Sequence, residues 1–286
     1  MMKTWGKRIA SAVCAAAMCV ALLPTTAFAE VTTENVDDEN KIISVSTEDG
    51  ATAIQDAINY IDTNAVDKIG WTITVGAGNY NRFTVLNGMD NLTIQAAEDA
   101  TVTIETLNGS EAPAPTSGGL PDTGGISIRE ADGVTLKGLT INADNQSTPW
   151  YSSAVSDYME TGTVVDNFTI ANCNFVGNNS AHGVFVNAHT TGFTVTGCTF
   201  NGFSECISMY GDGTVLNSAS VTNNTFNNSS FALHGYYYTS EADSDAGVLT
   251  FSGNTINGTD ALRCKVVIQN GSGADDGTQK KQCNKG

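Results

Sequence analysis

The phrase FTIANCNF at residues 168–175 returns 25 residues later as FTVTGCTF. ASVTNNTF (219–226) and LTFSGNTI (249–256) keep the same frame, and VTLKGLTI (134–141) precedes them. Successive copies start 34, 25, 26 and 30 residues apart. Positions one, three and eight are apolar, with Ala219 the small exception, and position five is always Asn or Gly. Alternation at positions one and three predicts a strand with one buried face. Asn or Gly at position five predicts a sharp bend, because these residues tolerate the left-handed backbone region. A second short strand then turns position eight back inside. No helical period separates the copies, which excludes βαβ units. Such a repeat builds a coil of strands and bends that stacks on its own next copy.

With these phrases, and with ATAIQDAINYID and WTITVGAGNY upstream, the chain resembles the right-handed parallel β-helix proteins of the pectate-lyase-like superfamily over about residues 50–260. The resemblance implies an all-β fold, a right-handed parallel β-helix (solenoid) with a short N-terminal capping helix. Thr52 with Gln55 reads as a capping box. Ile54, Ala57, Ile58 and Ile61 read as one apolar stripe able to cover the open edge of the first coil. The expected organisation is a leader over 1–29, a linker and first strand over 30–50, the β-helix over 51–270, and a disordered or truncated tail over 271–286. A likeness of this kind specifies a fold rather than an activity.

Stacking places position six of successive coils, Leu139, Cys173, Cys198, Asn224 and Asn254, one above another at about 4.8 Å. The cysteines there are expected as buried free thiols and the asparagines as an amide ladder. Asn91, Asn167 and Asn223 match the glycosylation pattern, but ladder and bend positions account for them better. The repeated phrase is therefore architecture, and function belongs to outward positions and loops.

The first 30 residues, MMKTWGKRIASAVCAAAMCVALLPTTAFAE, have the form of a signal peptide: Lys3, Lys7 and Arg8, an apolar run from Ile9 to Leu23, and Ala27-Phe28-Ala29 as the cleavage signal. The run is short and ends at Pro24, which weighs against a membrane anchor. The mature chain is expected to be secreted, with no membrane span. The net charge of −17 becomes more negative once a leader carrying three basic residues is removed. That field repels nucleic acid and anionic lipid. The cysteines form neither a disulfide framework nor a zinc pattern.

A further strand precedes the phrases: GISIR (125–129), GVFVN (183–187), CISMY (206–210) and FALHG (231–235). If Ile126/Ile128, Val184/Val186, Ile207/Met209 and Phe231/Leu233 point inward, Arg129, Asn187, Tyr210 and His234 form an outward column. His189, Asp212 and Tyr236 follow two residues on, and Asp157 comes from an intervening coil of ambiguous register. Loops bordering this strip carry Trp150 and Tyr151. Aromatic faces beside hydrogen-bonding groups suit sugar rings, so a polysaccharide or glycan is the expected partner. An ordinary sheet exterior on a non-catalytic surface or adhesive scaffold remains the alternative.

Glycoside hydrolysis needs two carboxyl groups flanking the bond. Asp212 and Asp157 are the strip's candidates. The Asn-Thr-Asp, Asp-Asp, Gly-His-Gly and Arg-Ile-Lys motifs of the β-helix polygalacturonases are absent from it. If the protein is an enzyme, a polysaccharide lyase fits better than a hydrolase, with a base among His234, Tyr210 and His189 and with Arg129 neutralising the substrate carboxylate. Glu241, Asp243 and Asp245 alternate along one loop and are the candidate ligands for calcium.

Overall fold

The computed structural model describes residues 35–107, 123–146, 152–157, 165–187, 190–212, 219–238, 249–270 and 280–281. All of them fall within one unit, Val31–Gly286. Strands pair in three sheets of nine, seven and eight strands, and each coil contributes one strand to each sheet over most of the stack. All pairings are parallel except at the ends, where Val36–Asp37 and Lys280–Lys281 add antiparallel strands. The fold is a right-handed parallel β-helix.

The repeat frame matches the strand register. Position three gives the first-sheet ladder Leu136, Ile170, Val195, Val221 and Phe251. Position eight gives the second-sheet ladder Ile141, Phe175, Phe200, Phe226 and Ile256. Phe175 and Phe200 stack with ring centroids 4.4 Å apart, and Phe200 and Phe226 at 5.3 Å. Identical letters at a fixed frame thus become one continuous core, because the coil repeat sets neighbouring side chains at about strand spacing.

Position five does turn the chain: Gly138, Asn172, Gly197, Asn223 and Gly253 all have φ between 54° and 72°. Position six forms the inner ladder with one repeated geometry. The side chain of each coil accepts from the backbone N–H of the coil below and donates to the carbonyl three residues before it. Cys198 Sγ accepts from Cys173 N at 3.4 Å and donates to Ile170 O. Asn224 accepts from Cys198 N at 2.8 Å and donates to Val195 O. Asn254 accepts from Asn224 N and donates to Val221 O. Thiol and amide are alternative occupants of one site. Cys173, Cys198, Cys206 and Cys264 are free and buried.

Helix α1 (Ala53–Asn64) buries Ala53, Ile54, Ala57, Ile58 and Ile61 against the first coil. Its expected capping box does not form. Thr52 makes no side-chain cap bond, and its hydroxyl donates to Asp56 instead. Gln55 accepts from the backbone N–H of Thr84 at 2.8 Å, tying the helix to the third sheet. A capping box does form just upstream, between Ser46 and Asp49 on the 3-10 turn Thr47–Asp49. Gln55 had the right spacing, but a strand edge with an open N–H competes for the same amide.

Candidate functional site on the third sheet

The third sheet runs through Thr84–Val85, Ile126–Ile128, Ser153–Asp157, His182–Asn187, Glu205–Asp212, Phe231–Tyr238 and Lys265–Asn270. Its inner row is Ile126, Val155, Val184, Ile207, Leu233 and Val266. This register shifts the expected column. Leu233 lies beside Ile207, so Gly235 takes the place next to Met209 and Tyr236 the place next to Tyr210. His234 falls two residues away, level with Ser208. A glycine in the inner row carries no apolar side chain to mark it, which is why the pattern FALHG misleads.

Asn187, Tyr210 and Tyr236 do share one row by backbone register. Arg129, exposed at the end of its strand, counts along to the same level. Asp212 lies two residues beyond Tyr210 and pairs with Tyr238. Asp157 is not on the outer strip: it is 2% exposed, lies level with the core residue Ile128, and accepts a hydrogen bond from the Thr190 hydroxyl. His189, Trp150, Tyr151, Glu241, Asp243 and Asp245 lie outside the described residues, as does the expected leader. Among the described residues, no group of three His, Cys, Asp or Glu could hold a metal ion, and no helix is long and apolar enough to cross a membrane.

The densest chemistry on this sheet is centred on a residue that the sequence pattern passes over. Glu205 lies in one row with His182, Phe231 and Lys265. Its Oε1 sits 2.7 Å from Nδ1 of His234, and its Oε2 sits 3.4 Å from Nδ1 of His182. The first contact is a hydrogen bond, and the second is long for one. The His234 ring stacks on Phe231 at 4.6 Å, and His182 meets Phe185 edge-on at 5.5 Å. Lys265 Nζ stands 5.5 Å over the Phe231 ring.

Burial of Glu205, whose side chain is 12% exposed, would by itself raise its carboxyl pKa. The contacts from His182 and His234, the His182 charge and a bond from Ser208 outweigh that and hold it down at about 2. Glu205 is therefore a carboxylate throughout the ordinary pH range, and His234 donates to it from Nδ1. The signal for this cluster was present in SECISMY, but Glu205 precedes the alternating stretch. Pairing passes from His182–Glu205 directly to Val184–Ile207, leaving Cys206 buried between them. Simple alternation from Ile207 backward therefore assigns Glu205 to the wrong side.

Arg129 is level with Asn187, five residues along from His182, so the two stand roughly 16 Å apart in the strand direction. Of the bases expected to act with Arg129, Tyr210 shares its row three strands along the sheet, His234 lies two residues off that level, and His189 falls outside the described residues. Lys265, exposed and in the Glu205 row, is the cation that stands beside the cluster.

The fold and this site define a three-sheet parallel β-helix with a carboxylate–imidazole cluster on one outer face. No protein-family model and none of the curated proteins match the chain. Among solved structures, it is similar to a pectin methylesterase from Aspergillus niger at 12% identity, over 79% of this chain and 89% of that one, with a TM-score of 0.42. It is similar to YbhC of Escherichia coli at 15% identity, over 78% and 73%, with a TM-score of 0.40. A surface adhesin of Streptococcus pneumoniae, PfbA, aligns at 12% identity over 74% and 78%, with a TM-score of 0.29. The fold assignment itself stands on the strand register.

Proposed function

We propose that the protein is exported and recognises complex carbohydrate on the outer face of its third sheet. The observation that carries this reading is the Glu205 cluster. An ionised carboxylate held between two imidazoles gathers fixed charge and hydrogen-bonding groups on an outer sheet face whose interior ladders are otherwise apolar, and it carries a desolvation cost there. Aromatic residues adjoin it in the sequence of rows, with Phe231 in its own row and Tyr210 and Tyr236 three and five residues beyond Ile207 and Phe231 along their strands. Planar rings beside fixed hydrogen-bonding groups suit a sugar, whose C–H face packs while its hydroxyls bond. Recognition is better supported than elimination, because Arg129 stands away from the imidazoles. Lyase chemistry at the imidazoles would have to draw on Lys265 for its cation.

A panel of oligosaccharides assayed for binding and for unsaturated or reducing-end product, with and without calcium, tests the reading. The wild type should bind at least one member, and Tyr210→Ala and Tyr236→Ala should weaken that binding. Equal affinity in both variants removes the tyrosine row from the site. Absence of both binding and product across the panel favours the non-catalytic scaffold instead.

A further inference from the structure

The two ends of the coil stack are finished differently. At the first end every sheet edge is met. Val36–Asp37 adds an antiparallel strand to the first sheet, Ala51 O accepts from the Asn81 N–H at the edge of the second, and Gln55 accepts from Thr84 N in the third. At the other end Lys280–Lys281 covers the third sheet alone. Leu249–Ser252 and Thr255–Asn257 are the last strands of the first and second sheets, and among the described residues nothing pairs with their outer edges. Their core-side residues are correspondingly uncovered. Ile256 is 41% exposed and Phe251 is only half-buried, whereas Phe226 and Val221 one coil earlier are fully buried. The inner ladder stops there too. The next coil's side chain takes the N–H of Cys173, Cys198 and Asn224, and the Asn254 N–H has no such partner among the described residues. Open sheet edges are ordinarily blunted by charge, proline or a bulge. Residues 249–259 contain no charge and no proline.

We propose that this open end is a self-association surface, and that its occupant is a second copy of the chain, bound end to end about a two-fold axis. A single extended peptide would pair with one strand edge and leave the other edge, with Ile256 or Phe251, in water. A second open end presents strand edges and an apolar cross-section together. Head-to-tail stacking is blocked because the first end is already closed, so like ends meet and assembly stops at two. Antiparallel addition is also how the chain finishes its own edges at Val36–Asp37 and Lys280–Lys281. The same pairing between two Leu249–Ser252 strands, centred on Phe251, keeps both core faces on one side. It sets Phe251 beside the partner's Phe251 and Thr250 opposite the partner's Ser252 on the outer face.

Sedimentation equilibrium of the full chain over a concentration series tests this. The wild type should show a monomer–dimer equilibrium, and its melting temperature should rise with protein concentration. Thr250→Lys with Ser252→Lys sets lysine opposite lysine at both outer pairs and should weaken the dimer roughly 10-fold or more. Thr250→Glu with Ser252→Glu should do the same. An equal mixture of the two double variants should recover the dimer, because each lysine then meets a glutamate. Thr250 and Ser252 are exposed, so each variant should keep the wild-type circular dichroism spectrum. A wild type that stays monomeric at every concentration overturns the proposal, as does a dimer that the lysines leave unchanged or a mixture that stays monomeric. Species growing beyond the dimer would mean stacking that does not close, and would overturn it as well.

Discussion

At the scale of single residues, the alternation of Asn and Gly at the bends has a steric cause. A Cβ on Gly197 would lie 2.3 Å from Oδ1 of Asn172 in the coil below, and φ there is +66°. Gly253 stands in the same relation to Asn223. The asparagine fills the space above its own bend, so the next coil is limited to glycine. Gly197→Ala should therefore cost about 2 kcal/mol or more, from the left-handed backbone and the clash together. In an Asn172→Gly background the same change should cost about 1 kcal/mol less, as chemical denaturation of the double-mutant cycle would show. Additive costs would mean that the two coils do not touch there. The inner ladder gives a second comparison. Cys198→Asn supplies the same acceptor and donor that Asn224 uses one coil on, and should stay within about 1 kcal/mol of wild type. Cys198→Asp buries a charge with no donor for its second oxygen, and should cost about 3 kcal/mol or more. Equal melting of the two variants would place position 198 outside the core.

Among the elements, the third sheet is tied together by Glu205, which reaches His182 on one neighbouring strand and His234 on the other. The folded protein holds the Glu205 carboxyl below its ordinary value of 4.5, at about 2. A carboxyl depressed by folding contributes stability that is fully present above the unfolded value and is lost as pH falls through the folded one. The stability difference between wild type and Glu205→Gln should thus shrink by about 3 kcal/mol between pH 5 and pH 2. A difference that stays constant across that window would mean the carboxylate is not held by its histidines. The first two sheets were legible in the sequence because Leu136, Ile170 and Val195, or Phe175, Phe200 and Phe226, repeat as apolar letters at fixed positions. The third sheet was legible only in outline. Its inner row includes Gly235 and its pairing skips Cys206, so apolar alternation alone put His234 beside Tyr210 and passed over Glu205 and His182. The sequence leaves the register of Asp157 ambiguous, and the strand pairing carries it inward, level with Ile128 and bonded to Thr190.

Across the whole molecule, 30 acidic residues give the chain a strongly negative field, while both described histidines gather around a single carboxylate on one sheet. Such a field disfavours long-range attraction of anionic polymers, so the proposed carbohydrate recognition would draw on local hydrogen bonds and ring faces. The stack supplies a rigid platform for this: parallel strands at constant spacing present each outer row along the solenoid axis, so a chain-like ligand meets successive coils in turn. The most direct measurement is hydrogen–deuterium exchange with and without the oligosaccharide that binds best. Protection confined to the His182–Asn187, Glu205–Asp212 and Phe231–Tyr238 strands is the expected result. Protection on the threonine-lined exterior of the first sheet, or none on any strand while ligand is bound, would contradict a binding face centred on Glu205.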